Sequence, residues 1–235
     1  MDAWMHAREQ EGAFSSLADF VQRVPIGLDG LSRMIRIGGF RFTGSSQQAL
    51  LWEAHMLMGP GKKPRRGHTL FAAEPVDHDW PVEVSGALEQ AYDQLELLGF
   101  PLVPPFALLE PEAAEAARHG IPADQLAACI GKRVAVAGYL VTVKETRTVN
   151  GDRMAFGCFL DAQGKWLDTV HFPPALRAFP FRGRGIYRIE GVVAESYGCL
   201  HVEASHMTKL AYRPDPRYAE DASPRLPLHR LGQAS

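Results

Sequence analysis

Residues 134–168 read VAVAGYLVTVKETRTVNGDRMAFGCFLDAQGKWLD, and this stretch decides the fold. It is three consecutive strand-like runs separated by polar turns. The first run spans Arg133–Glu145. After Asn150-Gly151-Asp152 the second spans Arg153–Leu160. Asp161–Gly164 makes the next turn, and Lys165–Phe172 is the third run. Asn-Gly is a strong hairpin signal because both residues accept a positive φ. Beyond the stretch, HFPPALRAF (171–179) breaks the pattern with a short helix. Two more runs follow, Arg184–Ser196 and Leu200–Leu210.

Three strands, a helical insert and two strands is the element order of an OB-fold, a five-stranded Greek-key barrel. Gly138 and Gly191 fall inside strands, where a small barrel must bend. Period-two alternation divides the side chains into faces. In the second run Ala155, Gly157 and Phe159 share one face, and Met154, Phe156, Cys158 and Leu160 share the other. In the third, Trp166, Asp168, Val170 and Phe172 oppose Lys165, Leu167, Thr169 and His171. Phe156, Trp166 and Phe172 are candidate stacking platforms for bases. Large aromatics are ordinarily buried, so at least half of the three are expected in the core. Lys144, Arg147, Arg153, Arg182 and Arg184 lie at strand ends and turns, where phosphate contacts belong.

Outward from the barrel, residues 1–59 read as helices. Residues 1–10 form a short one. Ser16 caps a second, with Leu17, Phe20, Val21 and Val24 at helical spacing and Pro25 ending it. A third runs from about Leu28 to Ile37 and stops at Gly38-Gly39. Ser45 with Gln48 resembles a capping box for a fourth, Gln47 to Met58. Helices on either side of IRIGGFRFTGSS suggest a helix-hairpin-helix. In such a unit the Gly38-Gly39 turn and the next helix's N-terminus offer backbone N–H groups to phosphate. The alternative is a plain helical hairpin.

Residues 60–130 read as a connector. GPGKKPRRGHTLFAAEPVDHDWP (59–81) is a loop, and the bulky pair Leu70-Phe71 either folds back or docks in a partner's apolar pocket. A helix spans Ser85 to Leu98 with Leu88, Tyr92, Leu95 and Leu98 on one face. Residues 111–119 and 122–129 are strong helix formers. Residues 211–235 form a tail expected to be partly disordered. The architecture expected is therefore α+β: a helical segment at 1–59, a connector at 60–130, a barrel at 131–210 and the tail.

Composition sets bounds. The chain has 235 residues, 46% hydrophobic and 22% charged, room for two modest domains. The net charge of −2 hides an acidic middle: residues 76–130 hold one basic residue against ten acidic ones. The flanking parts are mildly basic, which suits phosphate. Cys129, Cys158 and Cys199 form no CxxC, so neither a disulfide framework nor a zinc site is expected. No apolar run reaches the ~18 residues of a membrane span, and the cytoplasm is the default location. Asp168 and His171 fall on opposite faces of one strand and form no dyad. No metal, cofactor or catalytic residue is expected; the residues point to binding.

Several blocks together resemble the C-terminal region of the bacterial replicative DNA polymerase III alpha subunit. They are FSSLADFVQRV, LSRMIRIGGFRFTGSSQQALLWEAHMLM, LELLGFPL, GYLVTVKETRTVNGDRMAFGCFLDAQGKWLDTVHFPP, PFRGRGIYRIEGVV and KLAYRPDPRY, in that order over roughly residues 10–218. The resemblance implies a helix-hairpin-helix part that contacts duplex DNA and a barrel that handles single-stranded template. It implies that HTLFAA stands where the family carries its sliding-clamp peptide, with Leu70 and Phe71 as the apolar end and Gly67 and His68 near the place of the usual glutamine. The family is a DNA-directed DNA polymerase, but its palm, with the metal-binding aspartates, has no counterpart here. The expectation is a non-catalytic module whose partners are DNA, the sliding clamp and the rest of the polymerase III holoenzyme. Its rivals are a free-standing single-strand-binding accessory protein and a protein-interaction adaptor.

Overall fold

A computed structural model describes residues 3–59 and 86–218. The chain divides into two compact units. One comprises Met1–Pro101 with Asp215–Ser235, the other Leu102–Pro214. Leu70 and Phe71 lie outside the described residues.

The first unit is helical: α1 (Ala3–Glu11), α2 (Leu17–Arg23), α3 (Leu28–Arg36), α4 (Gln47–Met58) and α5 (Ala87–Leu98). Ser16 caps α2, its Oγ accepting from Asp19 N–H at 3.0 Å. For α4 the cap is Ser46, not Ser45, and its Oγ accepts from Ala49 N–H at 3.2 Å. That shift frees Gln47 to donate to Asp93 on α5 at 2.7 Å. Leu17, Phe20, Val24, Leu31, Ile35, Phe40, Leu50 and Ala54 form the core. The buried face of α5 is not the leucine stripe. Ala91, Asp93 and Gln94 are buried, and the leucines are half-buried. Asp93 accepts from Arg36, Gln47 and Arg217, so this buried carboxylate is fully paired.

The second unit is the barrel: β1 (Arg133–Arg147), β2 (Arg153–Leu160), β3 (Trp166–His171), β4 (Ile186–Ser196) and β5 (Cys199–Lys209). Their order is β1-β2-β3-β5-β4, closed. β1 is long enough to serve both ends of this order. Arg133–Tyr139 pairs with β4 and Tyr139–Arg147 with β2, and an irregularity between Leu140 and Thr142 re-aims the strand. A parallel pairing, Thr169 with Val202 and Val170 with Glu203, shuts the seam. This is the α+β class with an OB-fold barrel, as the run order implied.

Two glycines let the barrel close. A Cβ on Gly138 would stand 2.7 Å from the Phe159 Cβ, and one on Gly191 would stand 2.1 Å from the Glu203 carbonyl. The interior holds Val134, Val136, Leu140, Phe159, Leu167, Tyr187, Ile189, Val193, Val202, Ala204 and Met207. The later part of the stretch read as connector belongs to this unit. Leu126 joins the interior cluster, and Leu109 and Ala113 pack with Tyr139 and Ile186. Ala113 lies on α6 (Pro111–Arg118), while 123–129 is a 3-10 helix. After β5 the chain returns along residues 108–110, with Arg213 N–H on the Leu108 carbonyl at 2.8 Å. The helix between β3 and β4, α7, is Pro173–Ala178.

Candidate nucleic-acid interface

Alternation sets the interface. On β2, Ala155, Gly157 and Phe159 are buried in the barrel, and Phe156 faces out. On β3, Leu167, Thr169 and His171 face in. A Cβ on Gly157 would meet the Phe159 ring at 2.7 Å and Thr169 Oγ1 at 2.8 Å, so a larger residue there would displace the packing that holds β2 against β3.

The three aromatic candidates all stand outside. Phe156 is 40%, Trp166 65% and Phe172 42% exposed, where at least half were expected in the core. The rings that pack with the interior come from elsewhere in the chain: Phe159 and Tyr187 stand within it, and Phe179 and Phe181 pack against it from the segment after β3. The ladders fix the lattice of this outer face. Lys144 is level with Phe156, and Phe156 with Val170; Thr142 is level with Cys158, and Cys158 with Asp168; Leu160 is level with Trp166. Asp161 holds the approach to Trp166. Its carboxylate accepts from Gln163 N–H at 2.9 Å, Lys165 N–H at 2.8 Å and Ala123 N–H at 3.0 Å.

The cations are less concentrated. Lys144 shares the aromatic face. By alternation Arg147 and Arg153 belong to the other face of the β1–β2 hairpin. There Arg153 pairs with Glu145 at 2.6 Å, and Arg147 donates to the Gly151 carbonyl at 2.9 Å. Arg182 and Arg184 lie in the loop before β4. The Tyr187 hydroxyl pins that loop, accepting from Arg182 N–H at 2.8 Å and donating to the Gly183 carbonyl at 2.6 Å. Burial raises the Tyr139 phenol, and the Arg184 charge partly offsets this.

Asp168 is the acid on the aromatic face, and among the described residues no cation pairs with it. Burial, a hydrogen bond to Asp168 and its charge push the Cys158 thiol up to about 11, so this cysteine is a poor nucleophile. His171 is on the opposite side of the sheet from Asp168, fully buried, and burial lowers it to about 4. Among the described residues no group of three His, Cys, Asp or Glu side chains is arranged to hold a metal ion, and no helix is long and apolar enough to cross a membrane.

In the helical unit Gly38 is left-handed, φ +82°, as a helix exit requires. Its N–H donates to the Ile35 carbonyl at 2.9 Å, and Gly39 N–H donates to the Met34 carbonyl at 2.8 Å. Both amides are thus used in closing α3. The link to α4 runs through a 3-10 turn at Arg41–Thr43 and a second left-handed glycine, Gly44.

Two features escaped the sequence reading. The Asp93 cluster had no local signal, because its partners are 46 to 124 residues away. Tyr197 sits in a two-residue loop between β4 and β5, fully exposed, with φ +53°. The signal available was the Tyr-Gly pair between two strand runs.

Fold and face together define the class: an OB-fold barrel with an aromatic outer surface on β2 and β3. Over about a third of its length the chain is similar to several solved structures. One is the N-terminal domain of PriB protein from Thermoanaerobacter tencongensis, at 13% identity, covering 34% of this chain and 96% of that one, TM-score 0.29. Another is the single-stranded DNA binding protein from Thermus aquaticus, at 16% identity, 35% and 41% coverage, TM-score 0.31. A third is the second OB-fold domain of replication protein A from Methanococcus maripaludis, at 14% identity, 36% and 90% coverage, TM-score 0.28. No protein-family model matches the chain. No curated protein matches it either.

Proposed function

We propose that the barrel binds single-stranded nucleic acid across the outer face of β1, β2 and β3. The observation that carries this is the exposure of Phe156, Trp166 and Phe172 on one face, with Lys144 level with Phe156. Exposed rings stack bases of any sequence, and a lysine beside them meets the phosphate that each base brings. OB-folds bind oligonucleotides across strands 2 and 3 and the adjoining loops. The face carries no paired acids and no activated nucleophile, so the reading is binding, as in a single-strand-binding accessory protein.

A finer assignment, to the C-terminal module of a DNA polymerase III alpha subunit, is supported by the order of the sequence blocks. In that setting the helical unit contacts duplex DNA and Leu70-Phe71 docks on the sliding clamp.

The test is fluorescence anisotropy of labelled oligonucleotides over a salt series. Neutralising Z phosphates on a single strand gives a log–log slope of about −0.7Z. Binding that weakens along such a line, and weakens again in Phe156→Ala/Trp166→Ala, supports the reading. No binding at low salt removes it.

A further inference from the structure

We infer that Tyr197 is a fourth stacking platform, which extends the aromatic face beyond Trp166 and holds one further base of a single strand. The inference rests on the nucleic-acid reading of that face.

Two independent observations carry it. The first is conformational. Ser196 pairs with Cys199, leaving Tyr197-Gly198 as the entire loop, and both residues have positive φ, +53° and +77°. That is a type I′ turn, whose central positions favour Asn-Gly because an L side chain there is strained. Tyr197 is the one non-glycine residue at positive φ among the described residues. An asparagine or glycine would make this turn better. An aromatic residue is therefore held where local physics selects against it, and strain of this kind gathers at functional sites.

The second observation is placement. The Tyr197 ring is fully exposed, so nothing in the fold gains from it. β3 and β5 run parallel, with Thr169 level with Val202 and Val170 with Glu203. Both strands run in the same direction from this pairing, so the start of β5, at Cys199, lies on the same side of it as Trp166, the start of β3. The turn before β5 is therefore on the Trp166 side of the β3–β5 seam. A rigid ring with few rotamers on a two-residue turn loses little freedom when a base stacks on it.

The experiment compares Tyr197→Asn and Tyr197→Trp in the full chain, reading the melting temperature and the affinity for a labelled single-stranded oligonucleotide. The strain argument gives Tyr197→Asn a melting temperature above that of the wild type, together with an affinity lower by roughly fivefold or more, the effect of losing one stacked base. Tyr197→Trp keeps wild-type affinity. Unchanged affinity in Tyr197→Asn overturns the inference, as does an equal loss in both variants. A wild-type chain that binds no oligonucleotide removes the proposed function itself, a result distinct from either of these.

Discussion

Thr169 Oγ1 and His171 Nε2 lie 2.8 Å apart inside the closed barrel. With the threonine hydroxyl proton on the Gly157 carbonyl at 3.1 Å, His171 donates from Nε2. Its Nδ1 then carries no proton and has no hydrogen-bond partner. A second proton would place an unpaired charge in the apolar interior.

The pH dependence follows. Burial holds the folded pKa at about 4, below the 6.5 of an ordinary imidazole, which the unfolded chain keeps. The unfolded chain takes up the proton first as pH falls. The histidine therefore costs no stability above pH 6.5, and stability drops between pH 6.5 and 4 by about 3 kcal/mol. Urea midpoints across that window should fall in the wild type and stay nearly level in His171→Phe. An equal fall in both would show that other groups govern the profile.

The Asp93 carboxylate is 6% exposed and accepts from two arginines and a glutamine. Asp93→Asn leaves Arg36 and Arg217 without their shared counter-charge, and should destabilise the helical unit by about 3 kcal/mol. Hydrogen exchange of α3 and α5 amides in the full chain reads this locally. Unchanged protection would mean the cluster is ornamental.

Lys144 and Asp168 make opposite predictions on one surface. Lys144→Ala should weaken oligonucleotide binding and make the salt slope shallower by about 0.7, one phosphate contact. Asp168→Asn should tighten binding, because it removes a like charge from the path of the phosphates. A tighter Lys144→Ala or a weaker Asp168→Asn would place the strand elsewhere on the barrel.

Gly191→Ala should prevent normal closure of the barrel, since the new methyl meets the backbone of Glu203. Gly138→Ala meets a side chain and should cost about 1–3 kcal/mol. Thermal unfolding of the two variants ranks them. The β4–β5 register shifts between Glu190 and Gly191, and a Gly191→Ala protein as stable as the wild type would show that this irregularity can move.

The strands and their order were legible because each run alternates and each turn carries glycine or a short polar residue. Other features were legible only in kind. Asn150-Gly151 does turn the chain, but only Gly151 has positive φ, +84°. Thr148 and Asp152 close a longer loop there. The I′ turn that the Asn-Gly pair suggested occurs instead at Tyr197-Gly198. The faces of β2 and β3 were legible, but which of them was outside was not. That depends on which rings the interior takes up, a property of the whole barrel. The paired state of Asp93 was illegible because α5 reads as a leucine stripe, and the partners that make burial of a carboxylate tolerable come from three other segments.

Closure of the barrel has a consequence for solubility. An open sheet that exposed Phe156, Trp166 and Phe172 would also expose a row of unpaired N–H and C=O groups, the combination from which strand-by-strand aggregates grow. Here β1 pairs with β4 along its first half and with β2 along its second, and β3 meets β5, so among the described strands none lies wholly at an edge. The barrel can present bare aromatic rings to the solvent while its described strands give a second copy no full-length edge to extend.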